Sequence, residues 1–160
     1  MAVDMFLKLD DVKGESRDSK HKDEIDVLAW NLGAANAGTT HTGGGGGAGK
    51  VNVQDLSLTK WVDKASPNLM MATCNGKHYK QALLTVRKAG ENPLEYLKVS
   101  MKEVLVSSVS TGGSGGEDRL TENITLNFAW FKVEYTPQKA DGTGEPAVEV
   151  AWNIAENKAG

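Results

Sequence analysis

Apolar and polar residues alternate along most of this 160-residue chain, the period-two pattern of strands buried on one face. In VDMFLKL, which starts at Val3, residues Val3, Met5, Leu7 and Leu9 form one apolar row. In EIDVLAWNL, Ile25, Val27 and Ala29 face one way and Leu28, Trp30 and Leu32 the other, so both faces of that strand are expected to be covered. VNVQDLSLTKWV gives Val51 and Val53, then Leu56 and Leu58, with the parity changing near Asp55. In LEYLKVSMKEVLVSSV the set Leu97, Val99, Met101 gives way to Val104 and Val106. In RLTENITLNFAWFKVEY the set Leu120, Ile124, Leu126, Phe128, Trp130 gives way to Phe131, Val133 and Tyr135. One inserted residue reverses every later side chain, so each parity change predicts a bulge or a crossing between two sheets. QALLTVRKA and a last strand through Val148, Val150, Trp152 and Ile154 complete the set. Long strands that bend in this way curl a sheet into a small barrel. The fold expected is mainly β: a small bent β-barrel of two packed antiparallel sheets, with residues 1–160 as a single domain.

KASPNLMMATCNGK breaks the alternation. Ser66 suits an N-cap, Pro67 the first helical position and Gly76 the C-terminal stop, which predicts one flanking α-helix over Pro67 to Asn75. The loops Gly33 to Lys50, Ser110 to Asp118 and Pro137 to Pro146 are rich in glycine. Loops of such length in a small domain are usually functional or disordered.

Charge narrows the function classes. The net charge is −3, and the 24% of charged residues are of both signs and interspersed, so no basic face suits nucleic acid. No basic amphipathic helix or long apolar run suits a membrane. Asp4 and Asp10 interrupt what would be the apolar region of a leader. The expectation is a protein made in the cytoplasm which, if it leaves, leaves by a route that reads no Sec-type signal. Cys74 is the one cysteine, which excludes an intrachain disulfide and a cysteine-held zinc.

Gly44-Gly45-Gly46-Gly47-Ala48-Gly49-Lys50 has the spacing of a phosphate-binding P-loop. Val51 stands where Ser or Thr would hold magnesium, and KVNVQDLSLTKW reads as strand where a helix N-terminus should complete the site. Cys74 and His78 could pair as thiolate and imidazole, but Gly76 ends the helix between them, and Cys74 reads as a core residue. His21, His41 and His78 lie in separate regions without metal-ligand spacing. Glu117 and Asp118 beside Arg119 read as a compensated turn. No catalytic residue, cofactor or metal is expected.

Long strings then carry a resemblance: VDMFLKL with KGES, DEIDVLAW, GGGGGAGKVNVQDLSLTK, SPNLMMATCNGKHY and LTVRKAG. EYLKVSMKEVLVSSVSTGGSGGEDRLTENITLNFA and YTPQKADG follow, and together they cover most of residues 1–142. Over these the chain resembles the haemolysin-coregulated protein (Hcp) family of bacterial type VI secretion systems. NLGAANAGTT diverges, and Thr143 to Gly160 is less diagnostic.

The resemblance implies a phage tail-tube-like barrel that forms homohexameric rings. Such rings stack into an injected inner tube inside a contractile sheath and beneath a VgrG-type spike, with baseplate proteins as further partners. They carry and protect secreted effectors in the lumen and catalyse nothing. A heterologous contact closes a ring, and a further contact along the axis stacks it. The Gly33 to Lys50 loop is expected to make the axial contact, with His41, Gly43, Gly44, Gly45, Gly46, Gly47 and Lys50 as its residues. Asn31, opposite in parity to Leu28, Trp30 and Leu32, is expected to meet cargo. Two rivals are a monomeric barrel that binds a ligand or partner through its long loops, and a nucleotide-binding enzyme built on Gly44 to Lys50.

Overall fold

A computed structural model describes residues 3–38 and 49–160. Its elements are β1 (Val3–Leu9), β2 (Ile25–Asn31), β3 (Ala34–Ala35), β4 (Asn52–Val53), β5 (Leu56–Trp61), α1 (Ser66–Asn75), β6 (His78–Lys88), β7 (Leu94–Thr111), β8 (Thr121–Tyr135), β9 (Val148–Asn153) and β10 (Lys158–Ala159). Neighbours run β10-β9-β8-β5-β2-β1-β6-β7, and β7 also pairs with β8. That last pairing closes β8, β5, β2, β1, β6 and β7 into a six-stranded antiparallel barrel, with β9 and β10 added outside it. The two packed sheets expected from alternation are opposite walls of this one closed sheet. Between them lie Leu7, Ile25, Leu56, Leu58, Leu84, Val99, Val104, Val106, Ile124 and Leu126, all essentially solvent-free. Full closure leaves few unpaired strand edges.

Each parity change has a backbone cause. At β2 the register against β5 shifts between Val27 and Ala29, so Leu28 is an extra residue and stands exposed. Ile25 and Val27 are therefore core before the bulge, and Trp30 and Leu32 pack on the core after it. The strand is buried on one face throughout, not on both. On β7 the burial changes from Val99 and Met101 to Val104 and Val106. Glu103, which lies between them, has φ +53°, in the left-handed region. The β7–β8 register puts Glu103 opposite Ala129, where β8 changes face between Phe128 and Phe131. One bend therefore turns both long strands together.

Helix α1 has Ala65, not Ser66, as its N-terminal cap residue, and no side chain caps it. Ser66 Oγ instead accepts from the Asp63 amide (3.0 Å) and donates to Glu122 (2.5 Å). Gly76 stops the helix at φ +67°, as its lack of a Cβ allows. Leu69 and Ala72 face the barrel, while Met70, Met71 and Cys74 are exposed. Cys74 is thus not a core residue. No helix among the described residues is long and apolar enough to cross a membrane.

Residues 10–24 fold back on the barrel as an irregular lobe. Gly14 sits so close to Glu24 that a Cβ would stand 2.5 Å from its carbonyl oxygen. Arg87 holds the lobe through a two-point pairing with Asp18 (2.6 and 3.0 Å) and a longer contact to Asp4 (3.2 Å). That guanidinium, with two backbone amides, lowers the Asp18 carboxyl to about 2. His21 stacks on Phe6 and lies 2.9 Å from Glu24 and 2.7 Å from Glu95. Burial pushes the Glu95 carboxyl up, but the His21 contact and the charges of His21 and Lys98 together bring it below its ordinary value.

Candidate functional site

Residues 29–31 of β2, 57–59 of β5, 123–125 of β8 and 108–110 of β7 make one wall whose outer face is built from short uncharged side chains. The registers place Asn31, Ser57, Thr125 and Ser108 side by side across the four strands. The next rung is Ala29, Thr59, Asn123 and Ser110. Strand alternation turns these outward because Leu58, Ile124 and Leu126, their neighbours in sequence, are core. Two pairs bond across the strands: Thr59 Oγ1 donates to Asn123 Oδ1 at 2.7 Å, and the Ser108 and Thr125 hydroxyls lie 2.6 Å apart. The register shift between Val106 and Ser108 brings a second hydroxyl, that of Ser107, within 2.7 Å of Thr125.

Among the described residues, charges flank these two rungs at both ends. Asp55, just before β5, accepts from Ser107 (2.6 Å) and Asn127 (2.8 Å). At the far end Arg119 lies over the Trp61 ring, 4.5 Å from its centroid. Burial pushes the Asp26 carboxyl up, and the Arg119 charge acts against that shift.

Behind the wall one rung is ionic. Lys60 on β5 is solvent-free and donates to Glu122 on β8 (2.5 Å), Asp63 (2.9 Å) and the Trp61 carbonyl (2.7 Å), with Ser66 Oγ a longer 3.3 Å away. All three side-chain partners are tied to the start of α1, so the network fixes wall to helix. A buried lysine is retained as a charge only when paired in this way. The sequence signal was available: Lys60 follows Leu56 and Leu58 in phase, and Glu122 precedes Ile124 and Leu126 in phase, a cation and an anion at core positions.

Two edges of the wall are open among the described residues. On β2, residues Ile25 and Asp26 pair with β1, but residues 27–31 pair with β5 alone. On β7, residues 94–105 pair with β6, but residues 106–111 pair with β8 alone. All three internal pairings of the wall are antiparallel, so β2 and β7 run in opposite directions.

Asn31 is exposed on the first rung, as parity against Trp30 and Leu32 required. Lys50 is exposed at the foot of the excursion that leaves the wall after Asn31. The base of this excursion is a ribbon of β3 and β4, with Ala34 opposite Val53 and Ala35 opposite Asn52. The amide of Asn36 donates to the Gly49 carbonyl at 2.7 Å. His41, Gly43, Gly44, Gly45, Gly46 and Gly47 lie outside the described residues. Extended backbone follows Lys50, without the helix that a phosphate loop needs. Among the described residues no group of three His, Cys, Asp or Glu could hold a metal ion.

The family model described as "Type VI secretion system effector, Hcp" matches residues 6–135. The protein hcp1 of Pseudomonas aeruginosa strain PAO1 is 68% identical over 160 residues, covering 98% of each chain. A solved type six secretion system protein superposes with TM-score 0.94 at 33% identity, covering 99% of this chain and 100% of that one. Hcp1 from Salmonella typhimurium superposes with TM-score 0.80 at 36% identity, covering 99% of both chains.

Proposed function

Because the chain belongs to the Hcp family and is a tube subunit of a type VI secretion system, we propose that it closes into hexameric rings through the two open edges of its wall. The observation that carries it is that, among the described residues, β2 and β7 each leave one side of a segment unpaired and run in opposite directions. Four strands alternate in direction, so rotation about a ring axis brings β7 of one copy beside β2 of the next in antiparallel orientation. The contact joins two different patches and therefore repeats head to tail until the ring closes. The neutral rungs then face the lumen, and Asn31 with them meets effectors. Light scattering on the purified protein should give about six times the monomer mass. A monomer would favour the rival reading of a ligand-binding barrel.

The axial contact is the second part of the proposal. Residues 33–50, with His41, Gly43 to Gly47 and Lys50, reach the adjoining ring, and stacked rings meet a VgrG-type spike, sheath and baseplate. The support is that the excursion leaves the barrel at one end of the wall, where Asn31 ends β2 and Leu56 begins β5. Deleting residues 43–47 should leave single hexamers and abolish tubes seen by electron microscopy. Undiminished tubes would reject this role for the loop.

A further inference from the structure

The composition of the wall points to what it can and cannot select. Across two rungs the four strands present Asn31, Ser57, Thr125, Ser108 and Thr59, Asn123, Ser110 with Ala29, none of them charged. The chain as a whole is 24% charged, and an ordinary solvated sheet face carries lysines and carboxylates. The face is not apolar either, so it does not resemble a buried interface. Asp55, beyond the two rungs at one end, keeps its charge while it accepts from two neutral donors, and Asp26 and Arg119 are of opposite sign at the other end. In a ring any charge on these rungs would be repeated in every subunit, and a concave surface of one sign focuses its field on whatever enters. Dipoles of hydroxyls and amides act only at contact, whereas a charge acts over about 8 Å in physiological salt.

We propose that this wall is charge-blind: it admits polypeptide cargo of either net charge and holds it through neutral hydrogen bonds and shape. This deepens the ring reading and rests on it. The test uses purified full-length rings and two Gly/Ser peptides of equal length, one lysine-rich and one glutamate-rich. Equilibrium dialysis reads their retention at about 50 and about 500 mM sodium chloride. Wild-type rings should retain the two peptides within about twofold of each other at both salt concentrations. Ser57→Lys, on an exposed wall position, should keep the ring mass and enrich the glutamate-rich peptide several-fold at low salt only.

A wild-type preference for one sign that collapses at high salt would overturn the proposal. So would intact Ser57→Lys rings that fail to discriminate, since the rung would then not face the channel. Absence of any ring in the wild-type protein would instead count against the ring reading itself.

Discussion

Lys60 and Asp18 show how single charges act in this barrel. Removing the ammonium by Lys60→Met leaves Glu122 and Asp63 buried around an apolar side chain, which should cost about 3–5 kcal/mol. Urea unfolding monitored by tryptophan fluorescence measures that loss, and an exposed lysine such as Lys50 provides the comparison. Asp18 makes a pH-dependent contribution. Its carboxyl is depressed from 3.8 to about 2, so its pairing with Arg87 stabilises the fold fully above pH 3.8 and is lost as pH falls through 2. Asp18→Asn should therefore be less stable than the wild type at pH 5, and the gap should narrow between pH 4 and 2. Urea midpoints across that range check it, and a constant gap would show that the carboxylate charge contributes nothing.

The parity changes operate on the scale of strands, and they decide how much could be read in advance. Alternation through Leu97, Val99, Met101 and then Val104, Val106 located the bend on β7 to within two residues, because core positions must stay in phase. The same rule misread β2: a bulge at Leu28 and a strand covered on both faces produce the same apolar string. Ser66 was misjudged as a cap for a related reason. Its Oγ accepts from the Asp63 amide rather than from an amide of the helix, and the buried Glu122 that takes its hydroxyl proton comes from a distant strand. The exposure of Asn31 was legible by parity, but its neighbours on the rung depend on strand order, which no local pattern encodes. At the bend, Glu103 sits at φ +53° inside a long strand. Glu103→Val should destabilise by about 1–2 kcal/mol and Glu103→Gly should not, the reverse of what strand propensity dictates for valine. Thermal melts of the two variants separate these cases.

At the scale of the whole molecule, the closed barrel, the bend and the buried ionic rung present one wall with a neutral face and two open edges of opposite direction. Membership of the Hcp family says that the subunit builds a secretion tube, and the wall offers two edges through which copies of it can join. The most direct test is an electron cryomicroscopy reconstruction of the purified ring. In that ring β2 residues 27–31 of one subunit should be hydrogen-bonded to β7 residues 106–111 of the next, with Asn31, Ser57 and Thr125 lining the lumen. A ring closed through other strands, or with those side chains on its outer surface, would contradict it.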